Sequence, residues 1–256
     1  MCIRIREHGT DYVARKSLFS TFVWKQQAYE QGYSVIKHPD TNFTVILNIE
    51  NGPGSSVWPA GEWVAPIKKL NVFGNVQTVG YIDTVGGTRD NTTVRKEVAT
   101  YAGWNKSGIA IHGIYFDHTP SSNAENAREY LKIITAMVRD AKGFLEPSVV
   151  VHNPGVVPDV NLTAYHADVT VVFESEYKDL SLRHGMHEKL KGLGGRREDY
   201  AYMVYGLSGD VSRGGMRKII DRVRRDVQWL YMTNQAGEER YNRYSGRWEE
   251  FLDLIW

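Results

Sequence analysis

A single cysteine, Cys2, stands in a chain of 256 residues, which excludes an internal disulfide and a thiolate metal cluster and leaves the fold to stand on its core. No apolar run approaches the ~20 residues that span a bilayer. Arg4, Arg6, Glu7 and His8 interrupt the N-terminus where a signal peptide would carry its apolar core, so no export signal is visible. Charge of one sign is missing too. The 31 Lys and Arg against 30 Asp and Glu leave a net charge of +1, with no global field to gather nucleic acid or an acidic membrane. The basic clusters at Arg196-Arg197 and at Arg222, Arg224 and Arg225 read as solvated faces. Proline-, glycine- or serine-rich linkers, low-complexity tracts and close repeats are also absent, so the chain reads as one domain and as a monomer.

What is present is 42% hydrophobic residues, enough to bury a core of barrel size. From residue 44 onward, short apolar runs alternate with longer helical stretches. The runs are continuous, as in strands buried on both faces. They read TVILNI (44 to 49), VQTVGYID (76 to 83), IHGIYFD (111 to 117), SVVVHN (148 to 153), VTVVFE (169 to 174), YAYMVYG (200 to 206) and WLYMTN (229 to 234). Between them lie VRKEVATYAGW after Asn91-Thr92-Thr93, NAENAREYLKIITAMVRDA after Ser121-Ser122, and GGMRKIIDRVRRDV, with capping residues and apolar positions three or four apart. In the middle one, Ala127, Tyr130, Leu131, Ile134, Met137 and Val138 form one stripe.

Strand and helix repeating roughly every thirty residues predict a doubly wound sheet or a (β/α)8 barrel, and seven visible strands beside an unassigned N-terminus favour the TIM-type barrel. SLFSTFVW (17 to 24) is the best candidate for the first strand, and KQQAYEQGYSVIKHP for the first helix. Residues 1–43 therefore read as an atypical N-terminal segment and 44–256 as the barrel domain. RYNRYSGRWEEFLDLIW, with Trp248, Phe251, Leu252 and Ile255 at helical spacing, reads as the last helix, closing against that segment.

A parallel barrel carries its chemistry at the C-terminal ends of its strands. Those ends hold Asn48 and Glu50, Tyr81 and Asp83, Asp117, Asn153, Glu174, Tyr205, and Thr233 with Asn234. With side chains alternating, an inward Asp117 shares its face with Gly113 and Tyr115, and an inward Glu174 with Val172 and Thr170, leaving room for a pocket. A lone acid at a strand end ordinarily caps the next helix or pairs with a surface arginine. Two in one mouth, without Cys or clustered His, suit acid/base or nucleophilic work on a glycosidic bond. A Mg²⁺ site on Asp83, Asp117 and Glu174 is the weaker alternative, because no DxD-like spacing supports it; neither a metal nor a cofactor is expected.

VILNIENGPGSSVW, NVQTVGYIDTVGGTR, VATYAGW, GIYFDH, VVVHNPGVVPD, ADVTVVFESEY and QWLYMTN, in this order, resemble the spherulin-4 (spherulation-specific family 4) proteins. That resemblance implies a (β/α)8 glycoside hydrolase acting within α-1,4-linked galactosamine and N-acetylgalactosamine polysaccharide, such as the galactosaminogalactan of a cell wall. It implies an extracellular or cell-wall setting as well. Asp117 matches the family's G-I-F-F-D-E aspartate and Glu174 its V-V-F-E glutamate. Asn48, Tyr81, Arg89, Asn153 and Tyr205 are expected near the sugar. The family's Glu after the catalytic Asp is His118 here, and Tyr205 stands where a His is expected, so a catalytically impaired carbohydrate-binding protein on the same barrel is the second reading.

Smaller signals are weighed against plainer uses. Trp58, Trp63, Trp104, Tyr115 and Tyr177 near strand ends could stack on sugar rings, though most barrel tryptophans only pack. ENGPGSSVWPAGEW reads as a long loop over the mouth. His112 and His152, inside strands, read as core or supporting residues, and KGLGGRRE as an ordinary loop, not a phosphate cradle. Four Asn-x-Ser/Thr sequons, at Asn42, Asn91, Asn105 and Asn161, hint at a secretory history.

Overall fold

The computed structural model describes residues 15–21, 37–163, 167–183, 185–241, 243 and 245–255. Among these run the strands β1 (Arg15–Thr21), β2 (Thr41–Leu47), β3 (Val76–Asp83), β4 (Gly113–Asp117), β5 (Val149–His152), β6 (Val169–Glu176), β7 (Tyr200–Tyr205) and β8 (Trp229–Met232). Every pairing is parallel. β2 to β8 form a curled sheet of successive neighbours. β1 aligns with β2 along its whole length and meets β8 at one register pair, Lys16 with Trp229, so the ladder order returns to its start.

Between and after the strands lie α1 (Gly61–Leu70), α2 (Asn91–Gly103), α3 (Ala127–Asp140), α4 (Val160–Thr163), α5 (Met186–Gly192), α6 (Arg213–Val223) and α7 (Trp248–Ile255). The first strand falls close to its expected place, two residues early. Its expected helix lies almost wholly outside the described residues. Among the described residues no helix is long and apolar enough to cross a membrane.

Helix starts differ from expectation at two places. α2 is capped by Asp90, whose carboxylate accepts from Thr93 N–H at 2.9 Å, and not by the Asn-Thr-Thr that follows. α3 begins at Ala127, after Asn126 in a left-handed conformation, because Ser121 to Glu125 are spent on the loop that leaves β4. The apolar stripe of α3 is otherwise as expected, with Tyr130, Leu131, Ile134, Met137 and Val138 buried. α7 buries Trp248, Phe251, Leu252 and Ile255, and its Glu249 lies 3.8 Å from Lys37, so this helix does meet the described end of the N-terminal segment.

Two glycines let layers approach. At Gly80 an added Cβ would stand 2.5 Å from the Tyr101 ring, which lies on β3 and sends its hydroxyl to the Tyr81 carbonyl. At Gly113 the added carbon would stand 1.8 Å from the Val149 carbonyl oxygen, inside the β4–β5 pairing. Gly113→Ala is therefore expected to destabilise the fold by several kcal/mol or prevent soluble expression. Gly61→Ala, at the open start of α1, is expected to be neutral or slightly stabilising. Thermal denaturation of the two variants side by side checks the contrast, and equal melting temperatures would refute it.

His152 is buried on the helix-facing side of β5, where Thr135 of α3 lies 3.1 Å from Nε2; burial and then the Arg139 charge hold its pKa down at about 3. His112 hydrogen-bonds the Thr78 N–H at 3.0 Å. Both serve packing and support, as the sequence suggested.

Candidate active site

Register places the polar strand ends together. Tyr81 of β3 is opposite Tyr115 of β4, and Asp83 is opposite Asp117, so all four share the inner face. Tyr81 and Tyr115 rings stack with centroids 6.2 Å apart, and the Tyr115 hydroxyl reaches Met203 of β7. Among the described residues, aromatic and thioether side chains thus form the floor beneath the acids, in place of the small residues expected there.

Glu174 also points in, for a reason the strict alternation missed. β6 slips its register between Val171 and Phe173, so Glu174 pairs with Met203 while Val171 pairs with Ala201. Ala201 and Met203 share a face of β7, and Val171 therefore shares the face of Glu174 in place of Val172 and Thr170.

At the centre is Asn153, 3% exposed, one residue beyond β5. Its Nδ2 donates to Asp117 Oδ1 at 2.7 Å and to Glu174 Oε2 at 2.5 Å. Bonds of 2.7 and 2.5 Å to one nitrogen cannot hold their two oxygens farther apart than the combined length, 5.2 Å. The remaining oxygens are claimed by phenols. Tyr81 donates to Asp117 Oδ2 at 2.7 Å and Tyr241 to Glu174 Oε1 at 2.5 Å. Burial first, then the neighbouring carboxylate charge, pushes both phenols far above their ordinary range, so they remain protonated donors and not bases.

His118 turns away from the strand at a φ of 47°, its carbonyl held by the Thr84 hydroxyl and the Gly86 N–H, both at 2.8 Å. The ring lies over the mouth, with Nδ1 3.0 Å from Asp83 Oδ1 and 3.8 Å from Asp117 Oδ2. Burial pulls the imidazole pKa down. The charge of Asp117, the contact with Asp83 and the charges of Asp83 and Glu174 outweigh it, so the net direction is up. A raised folded pKa means that the stabilisation is fully present below the ordinary value of about 6.5 and is lost as pH rises through the folded one. The melting temperature of wild type over His118→Gln is accordingly expected to be highest in mild acid and to converge with it in base. Parallel curves from pH 5 to 9 would contradict this.

The other expected residues make no hydrogen bond to the acid pair. Arg89 hydrogen-bonds the Asp83 carbonyl and pairs with Glu97, behind β3. Asn48 accepts from the Asn51 N–H at 2.7 Å and lines a neighbouring cavity. Tyr205 ends β7 beneath the Arg240 guanidinium, 5.3 Å from its ring centroid. Trp104 is fully buried against Tyr101, and Tyr115 is 3% exposed, so neither offers a face to a sugar. Tyr241 and Arg240, in the segment after β8, were missed. Their position beyond a strand end was the available signal, but no apolar run pointed at them. Among the described residues no group of three or more carboxylate, imidazole or thiol side chains is arranged to hold a metal ion.

Residues 21–255 match the model of spherulation-specific family 4. The crystal structure of Aspergillus clavatus Sph3 in complex with GalNAc superposes with a TM-score of 0.87 at 30% identity, covering 94% of this chain and 97% of that one. A β-glucuronidase from Ruminococcus gnavus shares the fold at a TM-score of 0.51 and 12% identity, over 95% of this chain and 50% of its own. No curated protein matches.

Proposed function

Given that the chain belongs to spherulation-specific family 4, we propose that it is a glycoside hydrolase cutting within α-1,4-linked galactosamine and N-acetylgalactosamine polysaccharide, on an eight-stranded barrel of TIM type. The relative bound to GalNAc supports an amino-sugar ligand. The observation that carries the chemistry is the shared Asn153 amide. It holds one oxygen of each acid, Asp117 Oδ1 and Glu174 Oε2, no more than 5.2 Å apart, which supports a retaining pair, whose carboxyl groups stand about 5–5.5 Å apart, over an inverting one.

Asp117, next to the His118 imidazole, takes the nucleophilic role, and Glu174 carries the proton. The Asp117 carboxylate attacks C1, the glycosidic C1–O bond breaks, and the leaving oxygen takes the Glu174 proton. Glu174 then removes a proton from water, which attacks C1 and releases Asp117. Tyr81, Tyr241 and Asn153 hold both acids in place throughout. The exposed sequons at Asn105 and Asn161 favour an extracellular setting.

His118, in place of the carboxylate that the family resemblance led us to expect, favours the second reading, a carbohydrate-binding protein without turnover. Reducing-end release from partly N-acetylated α-1,4-galactosaminan separates the two. Release by wild type supports the hydrolase, and binding without release supports the second reading.

A further inference from the structure

The segment between β2 and α1 walls a cavity of about 550 Å³, lined by Asn48, Glu50, Trp58, Glu62 and Trp63 among others. This volume lies within the roughly 300–1,000 Å³ of small-ligand sites. The expected mouth loop is in part this wall, although Gly61 to Trp63 already form the first turn of α1.

The cavity reaches toward the acid pair through Asn48, one of its lining residues. Asn48 follows Leu47, which is in register with Gly80, so Asn48 stands beside Tyr81, the donor to Asp117. Asn48 also fixes the turn, accepting from the N–H of Asn51, whose φ is 55°. That turn presents Glu50, an exposed carboxylate that pairs with no described Lys or Arg; an added Cβ at Gly54 would stand 3.7 Å from its Oε2. Trp58 is 40% exposed, whereas Trp63 packs partly against the core.

An open indole and a carboxylate with no described cationic partner, both lining one cavity, match a hexosamine with a free amine. The C–H face of the sugar covers the indole, and the ammonium sits between the π face and the carboxylate. An N-acetylated unit offers the same face but no charge. We propose that this cavity is a further sugar subsite, selecting a de-N-acetylated, cationic hexosamine unit of the polymer next to the point of cleavage. The proposal rests on the hydrolase reading above.

The test compares kcat/KM of wild type, Glu50→Gln and Trp58→Ala on α-1,4-galactosamine oligosaccharides of equal length, either fully N-acetylated or partly de-N-acetylated. Glu50→Gln is expected to lose about five- to tenfold on the partly de-N-acetylated substrate and nothing on the acetylated one, and 0.5 M salt to shrink the difference. Trp58→Ala is expected to lose on both. Both side chains are exposed, and unchanged circular dichroism confirms the fold. Wild-type cleavage with Glu50→Gln equal to it on both substrates overturns the subsite alone. No cleavage and no binding by wild type overturns the hydrolase reading, and the subsite with it.

Discussion

Asp117→Asn is expected to lower turnover of galactosaminan at least about a thousandfold, and Glu174→Gln by about 10²–10⁴-fold, with melting temperatures close to wild type. The asymmetry follows from the roles. A nucleophile that becomes an amide cannot form the glycosyl ester, whereas a missing acid still permits departure of a good leaving group. Azide makes the assignment testable with activated α-glycosides. Asp117→Ala should yield the β-glycosyl azide and Glu174→Ala the α-azide, because azide then replaces the nucleophile in one variant and the water in the other. The opposite pattern would exchange the two roles, and wild-type-like turnover in either variant would remove that residue from the chemistry.

Asn153→Ala is expected to cost about a hundredfold in kcat with a smaller change in KM. The amide is the only described donor shared by both acids. Without it the two carboxyl groups face each other across a partly buried gap, each short of one hydrogen bond. The substitution also removes the acceptor for the Gly155 N–H, so some loss of stability accompanies it. A rate within threefold of wild type would show that Tyr81 and Tyr241 position the acids without help from Asn153.

The acids were legible in the sequence because each ends an apolar run, and burial on both faces leaves a strand end as the natural place for polarity. Asn153 was legible for the same reason. The arrangement around Glu174 was not: the slip near Val172 breaks the period of two, and nothing in VTVVFE marks which valine lies outside the register. Tyr241 and Arg240 were hidden because they sit on a loop after β8, where no hydrophobic period fixes direction. The strand β1 was legible only as a candidate, since RKSLFST mixes charged and apolar residues where the later strands are continuously apolar. Trp104 misled for the converse reason. Aromatic type near a strand end suggests a ligand, but only packing decides exposure, and here Tyr101 covers it.

The most direct measurement is the anomer released first by wild type from α-1,4-galactosaminan, followed by proton NMR before mutarotation, beside Asp117→Asn. A carboxylate pair joined through one amide nitrogen should give the α-anomer first from wild type, and no product from the variant. The β-anomer first, or equal product from Asp117→Asn, would contradict it.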